Sequence, residues 1–226
     1  MIREIILDTE TTGFEPREGH RIIEIGCLEV INCLPTGRVF QTYINPERDV
    51  PTEAFKVHGL TTDFLKPFPV FAKVVSDFFS FIGNDQLVIH NAPFDLKFLN
   101  AELARLSYPL LPAHRAIDTL KMAQTQFPGS PVTLDALCRR FGIALSERKT
   151  HGALVDCKLL AAVYMELSGG RQGAFEFENK RKTGTGILRK GDSRTLSRRP
   201  PRPHYASEEE LKAHQTLVST LKNNLW

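Results

Sequence analysis

The stretch "IILDTETTG", residues 5–13, decides the fold. Ile5, Ile6 and Leu7 make an apolar run that reads as a strand entering a core, and two acids follow, Asp8 and Glu10. Side chains alternate along a strand, so positions i and i+2 share a face and the two carboxylates stand side by side. At about 4 Å and an effective dielectric of about 20, two such charges repel by roughly 4 kcal/mol. Protonation of one acid, an intervening base or a bound cation relieves the repulsion. No Lys or Arg lies between Arg3 and Arg17. A cation is the economical solution, and paired carboxylates suit Mg²⁺ or Mn²⁺. Taken alone, the pair reads more simply as two strand-end acids facing water.

Outward from this strand, residues 1–168 read as one α/β domain. Strands are expected at 2–8, 21–31, 38–44 and 86–90, with a short one near 114–118, and the short connections make the first three antiparallel neighbours. "FAKVVSDFFSFI", residues 71–82, carries Val74, Val75, Phe78, Phe79 and Ile82 on one helical face. Further helices are expected at about 93–106, 118–126, 132–141 and 152–167. The hydrophobic content of 42% is enough for a sizeable core, and no run of eighteen apolar residues signals a membrane span. The N-terminal "MIREIILDTE" lacks the pattern of a signal peptide. Cys27, Cys33, Cys138 and Cys157 form no CxxC pair, and fit the reduced thiols of a cytoplasmic protein.

The rest of the chain differs in character. Residues 171–203 hold 10 Lys and Arg against 3 Asp and Glu, whereas residues 1–170 hold 17 against 20. The basicity is therefore local to one stretch. Residues 169–205, rich in Gly, Ser, Pro and Arg, read as a flexible basic linker. Helical periodicity resumes within 206–226, where Ser207 and Glu210 have the spacing of a capping box. Leu211, Leu217, Val218 and Leu221 form a partial apolar stripe. A short helix on a flexible linker cannot bury such a stripe by itself, so docking onto a partner is expected.

Two more places carry acids. "VIHNAPFDLKFL", residues 88–99, runs from strand through turn into helix, with Asn91 suited to the N-cap, Pro93 to the first turn and Asp95 just inside. Asp95 alone could simply complement the helix dipole. "RKTHGALVDCKLLAAVY", residues 148–164, places Asp156 near a helix start and His151 before it. Five residues on a helix is about 140° of rotation, so His151 is expected in the loop or first turn, from which it can swing toward the acid.

This order, DxE on a strand, D at one helix start and HxxxxD at another, resembles the DEDDh 3′–5′ exonucleases of the ribonuclease H-like superfamily. The resemblance covers residues 1–168 and includes "LDTETTG", "IIEIG", "FKVHGLT", "HNAPFD", "LDALCRRFGI" and "HGALVDCKLLA". "HNAPFD" and "HGALVD" look most like the epsilon-type proofreading branch that serves bacterial DNA polymerase III. The resemblance implies a mixed five-stranded sheet flanked by helices. It implies hydrolysis with two divalent cations roughly 3.5–4 Å apart, Mg²⁺ or Mn²⁺. Asp8, Glu10 and Asp156 would be direct ligands, Asp95 would complete the set directly or through water, and His151 would be the general base. Substrate contacts are implied at Asp8, Thr9, Glu10, Thr11, Glu53, His58, Asn91, Phe94 and Asp156. Gln172, Phe175 and Phe177 look like a sliding-clamp-binding peptide, with Phe where Leu or Met is commoner. The terminal helix resembles the segment that tethers such subunits to the alpha polymerase subunit. An RNA-trimming enzyme similar to oligoribonuclease or ribonuclease T shares the same active-site residues, but does not need the tail. A non-catalytic polymerase-binding scaffold would not need all five positions filled.

Overall fold

The computed structural model describes residues 1–145, 152–169 and 206–220. Its five strands are β1 (Arg3–Thr11), β2 (Ile22–Ile31), β3 (Leu34–Tyr43), β4 (Gln86–Ile89) and β5 (Ala116–Asp118), in the order β3-β2-β1-β4-β5. β1, β2 and β3 form an antiparallel meander, and β4 and β5 add to it in parallel. This is the expected mixed sheet. Among the described residues up to 169, seven α-helices accompany it: α1 (Thr52–His58), α2 (Thr62–Leu65), α3 (Phe71–Ile82), α4 (Ala92–Arg105), α5 (Thr119–Gln126), α6 (Leu134–Phe141) and α7 (Ala153–Leu167).

The alternation of β1 sorts the core into two layers. Ile5 and Leu7 pack with residues of α3 and α4, among them Phe78, Phe98 and Leu99. Ile6 points the other way, with Cys157, Leu160 and Tyr164 of α7. Beyond α7, Ala123 of α5 and Leu137 of α6 close a smaller cluster against Val163 and Leu167.

β1 does not stop at residue 8. Its ladder with β2 continues to Thr11, opposite Ile22, with a register shift between Glu10 and Thr11. Asp8 and Glu10 therefore lie within a paired strand rather than at its fraying end. β3 starts at Leu34, four residues before the expected 38, because Asn32 and Cys33 make a two-residue hairpin turn, both at positive φ. α1 and α2 are too short for their periodicity to stand out in the sequence.

The chain divides into two compact units, Met1–Glu176 and Phe177–Trp226. In the second, α8 (Glu208–Thr220) begins with the expected capping box. The Ser207 N–H donates to Glu210 Oε2 at 2.8 Å, and the Glu210 N–H donates to Ser207 Oγ at 3.2 Å. Gln172, Phe175, Phe177, Leu221 and most of the predicted linker lie outside the described residues. No helix among those described is long and apolar enough to cross a membrane.

Candidate active site

Three elements supply the acids. Asp8 and Glu10 are in phase with Ile6 on β1, so both point to the α7 side of the sheet. α7 comes close there because β2 offers Gly26 directly opposite Asp8. A Cβ on Gly26 would lie 2.5 Å from the Ala153 carbonyl carbon and 2.6 Å from the Leu154 nitrogen. The bare backbone at Gly26 thus seats the first turn of α7, and Asp156, one turn in, reaches the carboxylates of β1. Oxygens of Asp8, Glu10 and Asp156 lie within 4.8 Å of one another. Glu10 and Asp156 are buried and Asp8 is partly exposed.

Asp95 arrives from the other layer. It sits in the first turn of α4, 3% exposed, and its Oδ1 accepts a hydrogen bond from Thr9 Oγ1 at 2.6 Å. Burial pushes the Asp95 carboxyl up to about 7, against that hydrogen bond, which favours the ionised form. Burial, and then the charges of Asp95, Glu10, Asp156 and Glu24, hold the Asp8 carboxyl well above the usual carboxylate range. Gathered acids held this way favour a divalent cation with oxygen ligands, and Asp8, Glu10 and Asp156 offer three such oxygens within 4.8 Å of one another.

The cleft beside these acids has a volume of about 640 Å³. Six of the expected contact residues line it: Thr9, Glu10, Thr11, Glu53, His58 and Phe94. His58 is 4% exposed, and its Nδ1 accepts the Leu60 N–H at 3.0 Å, which places the proton of the neutral ring on Nε2. Glu53 stands at the surface, paired with Lys56 at 2.9 Å. Phe94 serves both cleft and core, with its ring 5.1 Å from that of Phe98. The Thr9 hydroxyl hydrogen is committed to Asp95, and that of Thr11 to the Gly13 carbonyl at 2.7 Å, so neither is spare for a ligand.

Asn91 is not among the residues lining this cleft. It occupies the N-cap position of α4 in the left-handed region, at φ 68°, and its side chain makes no capping hydrogen bond. Its backbone N–H instead donates to Asp118 Oδ1 at 3.2 Å. His151, the expected base, lies outside the described residues.

Phe14 and His20 line the cleft without having been singled out in the sequence. Gly13 makes room for His20, since a Cβ there would come within 2.4 Å of the ring. Only the position of Phe14 directly after the "TTG" turn marks it in the sequence. Glu24 of β2, 2% exposed and paired in register with Glu10, was visible in "IIEIG" only as part of a motif.

A family model described as Exonuclease (RNase_T) matches residues 5–164. The chain is 48% identical to DNA polymerase III subunit epsilon of Rickettsia felis, with 97% of each chain covered. It is 44% identical to the protein of the same name from Salmonella typhimurium, covering 97% of this chain and 93% of that one. Among solved structures, the nuclease domain of 3′hExo, a DEDDh family member, bound to rAMP, superposes with a TM-score of 0.62 at 24% identity. That match covers 74% of this chain and 92% of the other. Exonuclease X in complex with 5′ overhanging duplex DNA gives a TM-score of 0.58 at 24% identity, with 73% and 90% covered. These last two likenesses establish the fold.

Proposed function

Because this chain belongs to the Exonuclease (RNase_T) family, among relatives named DNA polymerase III subunit epsilon, we propose that it removes nucleotides from DNA 3′ ends as the proofreading exonuclease of a bacterial replicative polymerase. The observation that carries the chemistry is the approach of Asp8, Glu10 and Asp156 to within 4.8 Å of one another, with Glu10 also lining the cleft.

The reaction is hydrolysis of the terminal phosphodiester. A water oxygen attacks phosphorus, the bond to the 3′ oxygen of the preceding nucleotide breaks, and that oxygen takes a proton from solvent and leaves as a hydroxyl. Asp8, Glu10 and Asp156, with Asp95 directly or through water, would hold two divalent cations, Mg²⁺ or Mn²⁺. When bound, these supply activation of water and neutralisation of charge at the leaving oxygen. Thr9 holds Asp95 in place by its 2.6 Å hydrogen bond. His151 takes the proton of the attacking water; this role rests on the family resemblance and on its position just before α7. The cleft walls at His58 and Phe94 take the terminal nucleotide, with Glu53 at the rim and the Asn91 turn supporting the start of α4. Such contacts to sugar, phosphate and an unstacked base do not depend on sequence.

The tail supplies the assembly contacts in this reading. Residues 206–226 tether the enzyme to the alpha polymerase subunit, and Gln172, Phe175 and Phe177 offer a contact to the sliding clamp. The linker at 169–205 keeps the nuclease near the primer end at high effective concentration, in the cytoplasm where replication proceeds.

The test is a magnesium-dependent digestion of primers with paired and mispaired 3′ ends. The protein is expected to shorten both, the mispaired end faster, and to stop on addition of EDTA or on the change Asp8→Ala. Undiminished activity of the Asp8→Ala protein would refute the assignment.

A further inference from the structure

We propose that Glu24 is a positioning residue that fixes the start of α7 and thereby the place of Asp156. Register puts Glu24 of β2 opposite Glu10, and Gly26 opposite Asp8. The two positions on β2 thus face the two acids of β1, and both meet the same turn of α7. Gly26 lets the helix approach, and Glu24 holds it.

The first N–H groups of a helix have no partner within it, and a side chain at the N-cap ordinarily supplies one. α7 has Gly152 at its N-cap and no side-chain cap of its own. The missing acceptor comes from the sheet. Glu24 Oε2 accepts the Ala153 N–H at 3.2 Å, while Gln41 Nε2 of β3 donates to Glu24 Oε1 at 2.7 Å. Each oxygen of Glu24 therefore has a donor, one from α7 and one from β3.

This accounts for a buried acid placed where it adds to the repulsion among Asp8, Glu10 and Asp156. The positive end of α7 and the Gln41 amide offset its charge. Asp156 is three residues beyond Ala153, and its N–H bonds the Gly152 carbonyl at 2.9 Å in that same turn. Loss of the Glu24 contact frees the turn that carries Asp156 and follows His151. Side chains that orient a metal ligand from behind typically alter activity or metal affinity by about 10–100-fold.

The inference rests on the exonuclease reading for its functional consequence, but not for its structural one. Two conservative changes separate reach from charge. Glu24→Gln keeps the length, and its amide oxygen can still accept from Ala153 while its NH₂ faces Gln41, whose amide turns to accept. Glu24→Asp keeps the charge and loses one methylene of reach. In the full chain, Glu24→Asp is expected to lower kcat by about tenfold or more, to raise the Mn²⁺ concentration for half-maximal binding, and to leave KM for the DNA end little changed. Glu24→Gln should stay close to the parent protein. Without any metal, amide exchange at Ala153 should speed up in Glu24→Asp and not in Glu24→Gln. Equal Ala153 exchange in all three proteins, or a Gln variant as impaired as the Asp variant, would overturn the proposal. If the parent protein shows no magnesium-dependent activity, the exonuclease reading fails, and the exchange measurement still decides whether Glu24 holds the helix.

Discussion

Thr9 shows how a residue with no chemistry of its own can govern one that has it. Its side chain points to the α4 layer while its neighbours Asp8 and Glu10 point to the α7 layer, and its hydroxyl orients Asp95. Thr9→Val keeps the shape and removes the hydroxyl; it should cost about tenfold in exonuclease activity, whereas Thr9→Ser should retain most of it, as single-turnover digestion would reveal. Asp95 makes a second prediction. Its carboxyl is raised to about 7 in the fold and returns to the ordinary aspartate value near 3.8 on unfolding. The folded protein therefore holds a proton that the unfolded chain gives up. The stability this confers is full below about pH 4 and is lost as pH rises through about 7. Thermal melts of metal-free protein should fall in Tm between pH 5 and pH 8, and Asp95→Asn should flatten the fall. Added Mg²⁺ should raise Tm by more at pH 8 than at pH 5; an equal effect at both would contradict the account. In the sequence these residues could be read as acids at suggestive places, and only the family resemblance joined them. Thr9's partner, 86 positions away, left no local trace.

At the scale of elements, the contact of α7 with β2 is the one most exposed to disruption. A methyl group on Gly26 would meet backbone, not a flexible side chain. Gly26→Ala should destabilise the fold by about 1–3 kcal/mol, measurable by urea unfolding. It should also depress kcat, since α7 must lift away from Asp8 and Glu10. An unchanged denaturation midpoint would show that the helix does not sit where described. The main elements were legible because each carries its own period. α3 matches its predicted bounds, 71–82, and β2 differs from its prediction by one residue. What was illegible depends on neighbours. The extension of β1 to Thr11 comes from pairing with β2, and the tight turn at Asn32 and Cys33 lacks the glycine that usually marks one. The seat at Gly26 becomes visible only once α7 is laid across it. α1, which brings Glu53 and His58 to the cleft, is too brief to show a stripe.

For the whole molecule, the charge asymmetry divides the labour. Residues 1–170 carry 17 Lys and Arg against 20 Asp and Glu, and in the function proposed above delivery to the DNA end is the task of the tail. A chain ended at residue 169 should digest free 3′ ends as the full chain does and no longer co-purify with the alpha polymerase subunit. Retained association would refute the tether. The change in composition after residue 168 shows in the sequence, and the capping box of α8 bears out the reading of Ser207 and Glu210. The central claim concerns the acids gathered at the cleft, and it is tested most directly by crystals soaked in Mn²⁺ and a mononucleotide, with data collected for anomalous scattering. The account predicts anomalous peaks within ligand distance of Asp8, Glu10 and Asp156, lost in the Asp8→Ala protein. Carboxylates turned apart, with no peak between them, would contradict it.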